Sequence, residues 1–125
     1  MSIKIRLMLV DDHVVFREGL ANWLRRFSDM DIVAEASNGL EAVDLARSLR
    51  PDVVLMDVNM PKMGGLEATE IIMSELPKTR IIGLSINDAM VIISAMRAAG
   101  AVNYFTKDCI QDDLLSAIRG SSITR

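Results

Sequence analysis

The sequence predicts a doubly wound α/β domain, with five parallel strands in the order 2-1-3-4-5 and helices on both faces of the sheet. Three observations lead there. Apolar runs of strand length alternate with helical stripes from one end of the chain to the other, the pattern of successive βα units wound right-handedly. The run Val53-Val54-Leu55-Met56 is continuously apolar, as expected of a strand covered on both faces. Four runs also end in polar residues of different kinds: Ile5–Val10 at Asp11-Asp12, Asp52–Met56 at Asp57, Arg80–Leu84 at Ser85, and Val102–Thr106 at Lys107. In an open parallel sheet the carboxyl ends of the strands share one edge, and ligands bind there at the switch point beside strands one and three.

Each element has its own signal. After Ile5–Val10, the residues Phe16, Leu20, Trp23 and Phe27 recur at offsets of four, three and four, one stripe of an amphipathic helix. Ile32–Ala36 reads as a short second strand. Asn38 followed by Glu41 resembles a capping box, and Val43, Ala46 and Leu49 carry the next stripe until Pro51 stops it. Asp52–Met56 is the third strand. A loop with Pro61, Gly64 and Gly65 precedes a helix traced by Leu66, Thr69, Ile72, Met73 and Leu76, which ends at Pro77. Ile81–Leu84 is the fourth strand. The helix Asp88–Ala99 is closed by Gly100, a usual residue just past a helix end. Val102–Thr106 forms the fifth strand, and Leu114, Leu115 and Ile118 mark a last helix before Gly120. Residues 1–120 are thus expected to form one domain, with 121–125 as a frayed end or the start of a linker.

Composition narrows the function. The chain has 125 residues, half of them apolar and a quarter charged, with a net charge of −3. That is globular, and the sign of the charge argues against the whole chain being a nucleic-acid binder. Cys109 is the only cysteine, so an internal disulfide and a cysteine metal cage are excluded, and a small side chain near a helix start is its ordinary reading. No apolar run reaches the roughly 18 residues of a membrane span. The N-terminal apolar stretch runs straight into Asp11-Asp12, unlike a signal peptide. A cytoplasmic location is the default expectation.

The strand ends carry the chemistry. Two unit charges 4 Å apart repel by about 1 kcal/mol in water and about 4 kcal/mol at an effective dielectric of 20. Clustering Asp11, Asp12 and Asp57 is therefore costly unless a cation occupies the cluster. Mg²⁺ suits it, because it binds oxygen, takes one or two carboxylates directly and leaves room for waters and a phosphate. Asp12 alone has another reading, as N-cap of the first helix, but that leaves Asp11 and Asp57 unaccounted for. Asp57 can also attack phosphorus to give an acyl phosphate, with Lys107 and the Ser85 hydroxyl answering the charge on the arriving group. A lone lysine is ordinarily solvated and a lone serine a turn former. Their joint placement at strand ends sets them apart.

The segments Leu9-Val10-Asp11-Asp12-His13, Arg17-Glu18-Gly19-Leu20, Pro51 through Asp57, Met60-Pro61-Lys62-Met63-Gly64-Gly65-Leu66, and Gly100-Ala101 through Tyr104 to Lys107 resemble the receiver domain of bacterial two-component response regulators, a flavodoxin-like fold. They cover the chain nearly end to end. The resemblance implies that Asp57 takes a phosphoryl group from a sensor histidine kinase. It implies Mg²⁺ held directly by Asp12 and largely through water by Asp11, with the backbone carbonyl of Asn59 contributing. It also implies a switch in which Ser85 moves toward the phosphoryl group and Tyr104 turns inward, repacking the face made by the fourth helix, fifth strand and fifth helix. A strand aromatic packed at the rim is the plainer reading of Tyr104. Such a module is a phosphoacceptor switch with slow hydrolysis, not an enzyme in the usual sense.

Lys107-Asp108 stands where many receivers have Lys-Pro, so the cis peptide common there is not implied. With Asp-Asp-His and Arg-Glu-Gly-Leu, it is similar to the LuxR/NarL-like subfamily, whose full-length members carry a C-terminal helix-turn-helix DNA-binding domain. That implies contact with DNA only through a domain outside these residues. Asn103 replaces a frequent glycine. Asn59 and Asn87 occupy positions that tune phosphoryl lifetime in the family. The fourth helix is apolar almost all round (Ala89, Met90, Val91, Ile92, Ile93, Ala95, Met96). Burial in the core is expected to explain most of it, with Met90 a candidate contact in a homodimer or with a partner. His13 is expected to be a surface residue at a helix start, because Mg²⁺ prefers oxygen. An aspartate-nucleophile phosphohydrolase is disfavoured, since Asp57-Val58-Asn59 puts an amide where an acid–base carboxyl is needed. A stand-alone or phosphorylation-independent receiver, acting as a protein–protein interaction module, stays open as the alternative.

Overall fold

The computed structural model describes residues 3–86, 89–108 and 111–120. Asn87, Asp88, Cys109 and Ser121–Arg125, on which some expectations fall, lie outside them. Ten elements alternate: β1 (Ile5–Val10), α1 (Val14–Leu24), β2 (Met30–Ala36), α2 (Gly39–Leu49), β3 (Val53–Asp57), α3 (Gly65–Glu75), β4 (Arg80–Ser85), α4 (Met90–Ala99), β5 (Asn103–Thr106) and α5 (Gln111–Arg119). All strand pairs are parallel, and the sheet order is β2-β1-β3-β4-β5. This is the expected topology, with the switch point between β1 and β3.

Alternation along the strands divides the core into two layers. Leu7 and Leu9 of β1 join Val53, Leu55, Ile82 and Leu84 under Ala21 and Leu24 of α1 and Leu114, Leu115 and Ile118 of α5. Met8 and Val10 face the other way, with Val54, Met56 and Ile81, beneath Ala42, Val43 and Ala46 of α2, Ala68 and Ile72 of α3, and Met96 of α4. The period of two on a strand is what splits neighbouring residues between faces. Each fully buried Leu, Ile or Met contributes roughly 1.5–3 kcal/mol of transfer free energy. Among the described residues, no helix is long and apolar enough to cross a membrane.

Several boundaries differ from expectation. The first helix ends at Leu24, short of Phe27, and its fully buried positions are Ala21 and Leu24. Phe16, Leu20 and Trp23 flank that line and are only partly buried. The third strand runs one residue later than predicted, so Asp57 closes it. Asn38 does cap α2, its Oδ1 accepting from Glu41 N at 2.9 Å, but the Glu41 carboxylate takes the Ser37 N–H at 2.8 Å in place of the Asn38 N–H. The fourth helix is not buried all round: Met96 is its one buried residue, while Met90 and Val91 are 72% and 80% exposed. Core burial therefore does not explain its apolar composition, because only one narrow stripe of α4 meets the sheet.

Candidate functional site

Strand register carries the four polar strand ends to one edge. Val10 pairs with Met56, Met56 with Gly83 and Gly83 with Tyr104. One residue further along, Asp11 stands level with Asp57; two residues further along, Ser85 pairs with Thr106, just before Lys107. The Asp11 N–H still bonds Ala36 O at 3.0 Å, and the Lys107 N–H bonds Ser85 O at 2.7 Å. These backbone bonds extend the sheet one step past its strands, so the polar side chains start from rigid backbone.

Two loops frame the edge. Arg17 reaches back from α1 to donate to Asp11 O at 2.6 Å while its Nε bonds Glu35 at 3.0 Å, tying the first turn to β2. The loop carrying Asn59 turns through left-handed backbone at Lys62 and Met63 (φ 52° and 83°), conformations that cost non-glycine residues energy. Its carbonyls meet the N-terminus of α2, where Gly39 N–H bonds Met63 O at 2.9 Å, satisfying a helix donor that would otherwise be orphaned. Gly65 is required by contact: a Cβ there would fall on the carbonyl oxygen of Asp57.

Inside this frame the charges are crowded. The side chains of Asp11 and Asp57 are 5% and 3% exposed and that of Lys107 9%. Lys107 Nζ lies 2.8 Å from Asp11 Oδ2 and 3.6 Å from Asp57 Oδ2, and 4.8 Å from the centre of the Phe16 ring. Burial, and then the negative charge of Asp11, push the Asp57 carboxyl up to about 7, with Lys107 pulling the other way. Asp12 Oδ1 and Asp57 Oδ2 are buried without a hydrogen-bond partner, a costly state for a carboxylate oxygen. Donor atoms of Asp11, Asp12, His13 and Asp57 lie within 4.8 Å of one another. This donor set, oxygen-rich, short of positive charge and with Asp11 and Asp57 buried, fits a divalent cation.

The predicted site residues are placed as follows. Asp11, Asp12, Asp57 and Lys107 come together. Ser85 is buried at the end of β4. Asn59 is exposed in the loop two residues after Asp57. Tyr104 is half-buried opposite Gly83, its ring edge 2.9 Å from where a Cβ on Gly83 would stand. Met90 is exposed beside Val91 and near Ile86 in sequence, all three more than 70% exposed. Asp12 is not the N-cap of α1; His13 is, and its side chain makes no cap bond.

His13 is a surface residue at a helix start, as expected, with its side chain 57% exposed, yet one ring nitrogen stands beside the carboxylates. Nδ1 lies 2.9 Å from Asp11 Oδ1, 3.4 Å from Asp12 Oδ1, 3.9 Å from Asp57 Oδ2 and 2.9 Å from Lys107 Nζ. The signal was its place directly after the aspartate pair. Gly83, which makes room for Tyr104, and Arg17, which anchors Asp11, were also not singled out as functional from sequence.

Residues 7–119 match the response regulator receiver domain family. The uncharacterized transcriptional regulatory protein YxjL of Bacillus subtilis is 40% identical over 119 residues, which is 95% of this chain and 55% of that protein. The transcriptional regulatory protein LiaR of the same organism is 42% identical over 94% of this chain and 56% of its own length. The chain therefore spans about half the length of these curated relatives. Among solved structures, the signal receiver domain of the putative response regulator NarL from Mycobacterium tuberculosis superposes with a TM-score of 0.90 at 32% identity, covering 98% of this chain and 99% of that one.

Proposed function

The chain belongs to the response regulator receiver domain family, and from that premise we propose that it is a phosphorylation-dependent switch in which Asp57 is the phosphoacceptor. The observation that carries this is the buried Asp57 Oδ2, without a hydrogen-bond partner and 3.6 Å from Lys107 Nζ. It is a nucleophile with no hydrogen bond to give up, beside the cation that would meet its product.

Asp11, Asp12 and Asp57 would hold Mg²⁺ together with the backbone carbonyl of Asn59. When bound, the ion withdraws charge from the phosphoryl oxygens and neutralises the carboxylates. An Asp57 oxygen attacks phosphorus and the phosphorus–nitrogen bond of a kinase phosphohistidine breaks, leaving the imidazole with the electron pair. Lys107 pairs with the transferred group, and the Ser85 hydroxyl donates to it. Asn59 offers no acid–base carboxyl, so hydrolysis is slow and the phosphorylated state persists.

Movement of Ser85 toward the phosphoryl group and of Tyr104 inward would repack the face of α4, β5 and α5. Reversing a 1:99 equilibrium takes about 5.5 kcal/mol of differential interaction, within the range of several charge-assisted bonds to one phosphoryl group. The partners proposed are a sensor histidine kinase and, through a C-terminal helix-turn-helix domain outside this chain, DNA. The cell compartment is the cytoplasm.

Incubation with acetyl phosphate and Mg²⁺ should add one phosphate to the intact mass, and Asp57→Asn should add none. Unaltered uptake by that variant would defeat the proposal. Exposed Met90, with Val91 and Ile86, is proposed as a self-association or partner contact. Met90→Glu should then abolish concentration-dependent self-association in sedimentation while leaving phosphorylation intact.

A further inference from the structure

His13 is the single histidine of the chain, and its position is fixed at two points. Its backbone N–H donates to Asp11 Oδ1 at 2.8 Å, and its ring nitrogen Nδ1 stands 2.9 Å from the same oxygen. The same Nδ1 also stands 2.9 Å from the Lys107 ammonium. One ring nitrogen carries either a hydrogen or a lone pair, never both. With a hydrogen it suits Asp11 and opposes Lys107; with a lone pair it suits Lys107 and opposes Asp11. No tautomer satisfies both neighbours, whereas a dication takes the lone pair and the carboxylates together.

The spacing points the same way. Donors about 2.1 Å from one ion are about 3.0 Å apart as octahedral neighbours and about 3.4 Å apart in a tetrahedron. Nδ1 is 2.9 Å from Asp11 Oδ1 and 3.4 Å from Asp12 Oδ1. Asp57 Oδ2, buried and unpartnered, is 3.9 Å away. We propose that His13 Nδ1 is a ligand in this metal site and shifts its preference from Mg²⁺ toward first-row transition dications such as Co²⁺ and Zn²⁺. Mg²⁺ favours an all-oxygen shell, whereas imidazole nitrogen favours the later metals. The inference rests on the metal-assisted phosphoacceptor reading above and adds a nitrogen donor and a selectivity to it.

The test uses the whole chain with Cys109→Ser, which removes the one competing thiol. With a single imidazole, nitrogen NMR reads His13 alone. Zn²⁺ should shift Nδ1 as a coordinated nitrogen and leave Nε2 protonated, while saturating Mg²⁺ should not move Nδ1 into that range. By calorimetry, His13→Ala should weaken Co²⁺ binding by at least the roughly 10-fold that loss of an outer-shell partner costs and change Mg²⁺ binding far less. Zn²⁺ that leaves Nδ1 unmoved, or Co²⁺ affinity indifferent to His13→Ala, would overturn the inference even if Mg²⁺ binds and needs Asp57. Should Mg²⁺ fail to bind, or bind equally to Asp57→Asn, the underlying reading falls and this inference with it.

Discussion

At the amino-terminal edge of the sheet, polar side chains end on partners that suit them. Arg6 donates from its backbone to Asp52 Oδ2 at 2.9 Å and from its guanidinium to Arg50 O at 2.7 Å. The buried Thr79 hydroxyl donates to Pro51 O at 3.0 Å. Arg80 spans to Ala117 O and Ile118 O at 3.0 and 2.6 Å, covering the last carbonyls of α5. At the carboxyl edge of the same strands the opposite holds. Three aspartates and a histidine crowd one lysine, and buried carboxylate oxygens lack hydrogen bonds. One fold, with the same core between them, thus has an edge optimised for stability and an edge held under electrostatic conflict. Unresolved polar demand of that kind marks the side that waits for a ligand.

Substitution should separate the two edges. The largest effect is expected at Asp57, where Asn removes phosphorylation and also relieves the conflict. A carboxyl raised to about 7 in the fold and near 3.9 when unfolded binds its proton more tightly in the native state between those values, so native stability falls as pH rises through that window. Without a dication, Asp57→Asn should therefore raise stability by about 1–3 kcal/mol at pH 8. Toward pH 4 the gain should fade, and Mg²⁺ at pH 8 should also diminish it. Denaturant titrations at the two pH values check this. A variant less stable than wild type at pH 8 would break the comparison.

Next in size is Lys107→Met, which removes the cation beside Asp57 and should slow phosphorylation by acetyl phosphate about 10²-fold. Arg80→Ala belongs to the other edge. It should cost about 1–3 kcal/mol by leaving two carbonyls of α5 without their charged donor, with phosphorylation rate unaltered. Smallest is Arg119→Ala. This residue pairs with Asp29 at 2.9 Å, and both side chains are around 40% exposed, so the loss should be about 0.2–1 kcal/mol in urea melts and shrink in salt.

Much of this contrast was legible in the chain, for physical reasons. Strand period and turn residues placed the alternation, and parallel topology then forced Asp11, Asp57, Ser85 and Lys107 onto one edge without any knowledge of contacts. What stayed hidden depended on tertiary direction. His13 brings Nδ1 beside Asp11 Oδ1 while its backbone N–H bonds the same oxygen, and no pattern of apolar residues records that. In α4 the apolar composition predicts core, yet only Met96 is buried, because composition does not say how wide a stripe the sheet will meet. In α1 the aromatic stripe likewise lies beside the buried line of Ala21 and Leu24. Its aromatics Phe16 and Trp23 line a groove of about 260 Å³ next to Leu114, while smaller Ala21 takes a centre position.

The most direct test of the central claim locates the phosphoryl group itself. After incubation with acetyl phosphate, borohydride trapping and peptide mapping should place the modification on Asp57 alone, with Mg²⁺ required and chelation suppressing it. Modification at Asp11 or Asp12, or at Asp57 with equal yield in chelator, would contradict the account.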